Sequence, residues 1–172
     1  KHACSWSYIT APESLSISVS DLVGWAGDGI LAALNTPAEA KCAESLPMPI
    51  VNVSSALTHS PVPCSIVDNH AIGALAAEHL ISRAFSVYAF YGLSDVEYSK
   101  NRLEGYQAKL ASAGYHSIDF MVSPTFGLNS NIWLQQHKVL ADWLSSLPIP
   151  CGLFAVTDYR ARQVLDACRR VG

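Results

Sequence analysis

Arg102 stands three residues ahead of Gly105-Tyr106, early in a helix-length segment that follows a β-rich run closing at Tyr91-Gly92. A guanidinium in that place is a planar fork of donors that can hold two neighbouring oxygens at once. The plainer alternative is a solvated helix arginine paired with Glu97 or Glu104, worth well under ~1 kcal/mol. Asp158 follows Thr157 where the run 152–156 hands over to the last helix. A carboxylate is favoured at a helix start by the amide donors and the dipole there, so capping competes with ligand contact. Asp68 and Asn69 form a polar pair at the start of another helix, where capping is the first expectation and a place facing a cleft the second. Planar polar groups and aromatic faces at strand ends are what a polyhydroxylated small molecule requires.

Other chemistries find little support. The chain contains no G-x-S-x-G, H-E-x-x-H or D-x-D-x-D-G pattern. Its glycine-rich stretch, Gly24-Trp25-Ala26-Gly27-Asp28-Gly29, precedes a β-rich run, whereas a dinucleotide-binding loop must follow one. His70 and His79 are nine residues apart on one helix, too far to share a ligand, and His2, His59, His116 and His137 stand singly. The five cysteines, Cys4, Cys42, Cys64, Cys151 and Cys168, never form a C-x-x-C pair. Reduced thiols are the simplest expectation, with Cys42, Cys64 and Cys168 as small buried hydrophobes. No catalytic residue, metal site or cofactor is expected.

These candidate residues need a scaffold, and the alternation of short apolar runs with amphipathic helix-length segments predicts parallel strands joined by helical crossovers. Strands are expected at 5–9, 29–31, 50–53, 65–67, 86–91, 118–122 and 152–156. Most are apolar throughout, as strands covered on both faces should be. A helix from Pro37 to about Ser45 is capped by Thr36. In the helix 69–82, Ile72, Leu75, Ala76, His79 and Leu80 recur as one stripe to be buried. Leu103, Tyr106 and Leu110 share a face of 96–113, Trp133, Gln136, Leu140 and Leu144 one of 132–147, and Ala161, Val164, Leu165 and Cys168 one of 158–171. Residues 54–63 and 123–131 read as loops. In open parallel sheets ligands sit beyond the carboxyl ends of the strands, so the segments after Tyr91, Val122 and Val156 are the places to search.

Half of the 172 residues are apolar, enough for a normal core, and the net charge of −3 offers no basic surface for a phosphate backbone. No run of about 18 apolar residues exists to span a bilayer, and no basic-then-apolar leader opens the chain. A cytoplasmic protein with no membrane partner is expected.

The segment VDNHAIGALAAEHLISRAFSVYAFYGLSDVEYSKNRLEGYQAKL, with LFAVTDYRARQVLDACRRVG near the end, resembles the effector domain of the lactose and galactose repressor family. WAGDGILAALNTPAEA and PIVNVS extend the resemblance to the xylose-operon-type regulators that borrow this domain. The resemblance implies an α/β, two-lobed, periplasmic-binding-protein-like type I fold, its parallel sheets flanked by helices and truncated at both ends. Residues 1–68 would be a partial first lobe and 69–172 the second. It implies a monosaccharide effector, a pentose such as xylose, bound between the lobes and coupled to DNA only through a helix-turn-helix module absent from these residues, in a homodimer. The arginine of the family's R-x-x-G-F pattern, here Arg102 with Tyr106 for the phenylalanine, grips the effector. Thr157 replaces the asparagine of the family's Asn-Asp turn, leaving the contact to Thr157 or Asp158. Tyr98, Ser99 and Asp68 are further expected contacts, and Phe126, with Trp133 as its alternative, an aromatic platform. A transporter's sugar-binding protein and a small α/β enzyme are the other classes this fold admits.

Overall fold

The computed structural model describes residue 5 and residues 7–11, 17–124 and 130–171. The chain divides into two compact units, Lys1–Ile66 and Val67–Gly172.

In the first unit, β1 (Ile30–Ala32) and β2 (Ile50–Asn52) pair in parallel, Ile30 opposite Ile50, and α1 (Pro37–Ser45) is the crossover between them. The helix starts where the sequence says it should. The Thr36 hydroxyl accepts the Glu39 amide at 3.2 Å, the Glu39 carboxylate accepts the Thr36 amide at 3.0 Å, and Pro37 takes the first helical position. Val19, Leu34, Ala43, Leu46 and Ile50 form its core. Asn52 is buried beside them, its Oδ1 accepting the amides of Leu34 and Ser54, so that one side chain ties the two strand ends together.

The second unit is a three-stranded parallel sheet in the order β4-β3-β5, with β3 at Val87–Leu93, β4 at Ser117–Val122 and β5 at Cys151–Ala155. The helices are α2 (Asn69–Ser82), α3 (Glu97–Ser112), α4 (Ser130–Ser146) and α5 (Asp158–Val171). Successive strand residues point to opposite faces, and the adjacent pair Phe90 and Tyr91 shows how the two layers form. The Phe90 ring meets Tyr106 of α3 and Phe154 of β5. The Tyr91 ring stacks on Phe120 at 5.7 Å, and Phe120 stacks on Trp143 of α4 at 4.9 Å. Thus α3 covers one face and α4 the other, where Leu140, Val164 and Ala167 complete the core.

Several expectations need correction. Residues 7–9 form no strand, and in place of a strand at 65–67 there is one bridge, Asn52 to Cys64. The 65–67 run meets β2 only at its start, where the Ser65 amide donates to the Asn52 carbonyl at 2.9 Å, and no ladder continues along it. Of the cysteines expected inside, Cys64 and Cys168 are exposed and Cys42 is half-buried. Two helices are rotated relative to their apolar stripes. Helix α2 buries Asn69, Gly73 and Ala77, every fourth residue, and leaves Leu75 63% exposed. Helix α5 buries Arg160, Gln163, Val164 and Ala167 and leaves Leu165 57% exposed. For α2 the reason is a crossing at backbone contact. A Cβ on Gly73 would stand 2.0 Å from the Arg102 carbonyl oxygen, and one on Gly105 would stand 2.1 Å from that of His70. Small residues therefore occupy the closest face, and the larger ones are displaced sideways.

Candidate functional site

The sheet order places β4 on one side of β3 and β5 on the other, so the chain reverses its direction of winding at the carboxyl end of β3. Ligand crevices of open parallel sheets form at such points. Three candidate segments of the second unit converge there: the start of α2, the first turns of α3 and the turn from β5 into α5. The Val156 amide donates to the Tyr91 carbonyl at 2.9 Å, which carries the β3–β5 ladder one residue past the strand and fixes the turn holding Thr157 and Asp158.

Arg102 is the centre of the group. Its Nε donates to Asn69 Oδ1 at 2.9 Å, its Nη1 donates to the Val156 carbonyl at 2.6 Å, and its guanidinium carbon lies 5.3 Å from the Tyr98 ring centroid. The glutamate pairing open to it is not made. Glu104 meets His70 at 3.0 Å and Lys100 at 3.9 Å, and among the described residues Arg102 has no ion-pair contact. Burial lowers the Arg102 pKa from its ordinary value, while Tyr98 and then Asp158 oppose that shift. The group remains a cation at any physiological pH. It is anchored by two neutral acceptors, and further N–H donors on Nη1 and Nη2 make no hydrogen bond among the described residues.

The other expected residues are placed unequally. Asp68 is exposed and its Oδ1 caps α2 by accepting the Ala71 amide at 2.9 Å. Ser99 is fully buried, and its hydroxyl accepts the Leu93 amide at 2.8 Å, closing the end of β3. Thr157 rather than Asp158 caps α5, its hydroxyl accepting the Arg160 amide at 3.3 Å, which leaves the exposed Asp158 carboxylate without that duty. Phe126 and the Trp133 side chain lie outside the described residues.

Sequence reasoning passed over two features. Asn69, judged a capping residue, is the acceptor that holds Arg102. The signal for it was the glycine pair, Gly73 four residues after Asn69 and Gly105 three after Arg102, which bring the two helices into contact at those turns. The second is Arg160, 4% exposed, whose Nη1 donates to Gln163 Oε1 at 2.8 Å and to the Tyr91 hydroxyl at 3.3 Å. No short pattern announces a buried arginine with neutral partners.

Comparison with known proteins bears on the family and the fold. The family model described as a periplasmic binding protein-like domain matches residues 77–172. The xylose operon regulatory protein of Escherichia coli strain K12 is 29% identical over 166 residues, which cover 92% of this chain and 42% of that protein. The solved structure of a xylose-binding transcription activator, xylR, superposes with a TM-score of 0.72 at 30% identity, covering 86% of this chain and 40% of that one. A probable LacI family transcriptional regulator from Corynebacterium glutamicum shares the fold, with a TM-score of 0.68, 20% identity and coverage of 93% and 60%. The chain thus spans less than half the length of the xylose regulators it matches. With the family model covering more than half of its residues and its parallel sheets flanked by helices, the chain belongs to the periplasmic binding protein-like domain family and is similar within it to the xylose operon regulators.

Proposed function

We propose that this chain is a sugar-sensing domain of a transcription regulator, with a monosaccharide, a pentose such as xylose, as its effector. The observation that carries the proposal is Arg102, fixed at the carboxyl ends of β3 and β5 with donors to spare and the Tyr98 ring beside it. A guanidinium so held presents a rigid donor edge to vicinal hydroxyls, and an aromatic face next to it suits the C–H side of a sugar ring. Thr157 and Asp158 supply a hydroxyl and a carboxylate on the adjacent turn. Ser99 and Asp68 enter as supports of that surface, through the end of β3 and the start of α2. The similarity to xylose operon regulators supports a regulatory role over catalysis. The net charge of −3 offers no basic surface for a phosphate backbone, which supports DNA contact through a helix-turn-helix module outside these residues. The regulator works as a cytoplasmic homodimer, and no helix among the described residues is long and apolar enough to cross a membrane. Sugar shifts it only by binding one conformation better than another.

Calorimetric titration of the full-length protein with pentoses and hexoses tests this. The wild type is expected to bind a pentose, and Arg102→Ala to weaken that binding about 10- to 100-fold, the worth of charge-assisted hydrogen bonds. Absence of sugar binding by the wild type overturns the sensor assignment. Equal binding by the variant overturns the role of Arg102.

A further inference from the structure

We infer that Asn69 is a positioning residue for Arg102, setting the plane and direction of the guanidinium before any ligand arrives. The inference rests on the sugar-sensing role proposed above and adds the device that readies its main contact. Asn69 is 4% exposed at the first position of α2, while the residue beside it, Asp68, takes the cap. Its side-chain contacts among the described residues select one orientation of the amide. Nδ2 donates to the Val67 carbonyl at 3.4 Å, and Oδ1 accepts Arg102 Nε at 2.9 Å. Reversing the amide would set its NH2 against the Arg102 N–H and its oxygen against a carbonyl, so the local backbone selects which atom faces the arginine.

One acceptor leaves an arginine free to swing about the Nε contact, whereas two define its plane. The second is the Val156 carbonyl, 2.6 Å from Nη1. These anchors come from positions 33 and 54 residues away in the chain. They consume Nε and one N–H of Nη1, leaving the second Nη1 hydrogen and the Nη2 pair as a directed edge. The glycine crossing sets the reach, because Gly105 lies against the His70 carbonyl and Gly73 against that of Arg102 itself. An arginine ordered in advance loses little side-chain freedom on binding, so its contacts appear more fully as affinity.

The test compares the wild type with Asn69→Ala, Asn69→Ser and Asn69→Asp in the full-length protein. Alanine removes the acceptor. Serine is too short to reach Nε but suits a helix start, so it provides a folded comparison should alanine unfold the chain. Aspartate keeps the acceptor. The first readout is the Nε–H signal of Arg102 in ligand-free protein by nuclear magnetic resonance, assigned by its loss in Arg102→Lys. Its exchange with water is expected to quicken about tenfold or more in the serine and alanine variants and to remain slow in the aspartate variant. The second is pentose affinity, expected to fall about 3- to 10-fold for serine and alanine and to be largely restored by aspartate, with thermal unfolding tracked alongside. In the Arg102→Lys background, Asn69→Ser should add little further loss. An Nε–H signal unchanged by serine overturns the inference, as does loss of affinity that tracks unfolding alone and is not restored by aspartate. Failure of the wild type to bind any sugar overturns the sensor role separately, while the Nε–H signal still decides whether Asn69 orders Arg102.

Discussion

At the scale of single residues, two arginines of the second unit solve opposite problems. Arg102 is half-buried, with donors that make no hydrogen bond among the described residues, a state that suits a ligand contact. Arg160 is buried in the layer beneath α4, where the Tyr91 hydroxyl and Gln163 receive it and the Tyr91 and Tyr159 rings lie 5.8 and 5.6 Å from its guanidinium carbon. A buried cation answered, among the described residues, by neutral dipoles and ring faces is costly to assemble, and truncating it is costly too, because a donor to its partners is lost and a void opens. Arg160→Ala is expected to lower unfolding free energy by about 2–4 kcal/mol in urea titrations, and Arg160→Met, which refills the volume, to lower it by less than half as much. Equal losses for the two would show that the hydrogen bonds rather than the filled space dominate.

At the scale of elements, the crossing of α2 over α3 links stability to the site. Backbone contact at Gly73 and Gly105 brings Asn69 and Arg102 into hydrogen-bond range, and neither glycine has room for a methyl group. Gly105→Ala improves local helix propensity by about 1 kcal/mol, yet the overpacking forces the helices apart. The net expectation is a loss of about 1–3 kcal/mol in chemical denaturation, with faster exchange of the Arg102 Nε–H as the crossing widens. A stabilised variant would mean that α3 slides without cost. The exposed contacts across the same crossing, His70 to Glu104 at 3.0 Å and Lys109 to Glu78 at 3.6 Å, contribute little by comparison. The R-x-x-G spacing thus has a packing reason: the arginine reaches its acceptor because the glycine one turn later lets the helix approach.

For the molecule as a whole, pH dependence of stability follows from His137 on α4. Burial lowers its pKa below the ordinary 6.5, and Arg170 pushes the same way, with Asp166 opposing and Arg160 adding to the fall. The unfolded chain therefore takes up a proton near pH 6.5 that the folded chain refuses until lower pH. Stability from this source is complete above that value and declines as pH falls through it, levelling off below the folded pKa. Melting temperature should drop as pH falls below about 6.5, and His137→Gln should flatten part of that slope. A slope unchanged in the variant would assign the decline to other groups. The whole-chain organisation was largely legible beforehand. Alternating short apolar runs and amphipathic segments foretold parallel strands with helical crossovers, and the five observed strands lie within one or two residues of expected ones. Of the other two expected strands, residues 7–9 form none and the run at 65–67 gives way to one bridge at Cys64.

The sequence by itself determined what local chemistry decides. The Thr36-Pro37-Glu39 start of α1, the Asp68 cap of α2, the buried Tyr106 and Leu110 on α3 and the position of Arg102 early in that helix all depend on neighbours within a turn or so. Tertiary structure alone decided which face of α2 and α5 is buried: packing against α3 called for glycine and alanine on α2 where apolar periodicity favoured leucine, and α5 turns Arg160 and Gln163 inward toward Tyr91. It also chose Asn69 and Val156 as the acceptors of Arg102 and made Thr157 the cap that leaves the Asp158 carboxylate exposed. A hydrogen bond between residues 33 or 54 positions apart has no periodicity to betray it. Its geometry exists only once the helices cross and the strands align, and the sequence records that event only as two glycines.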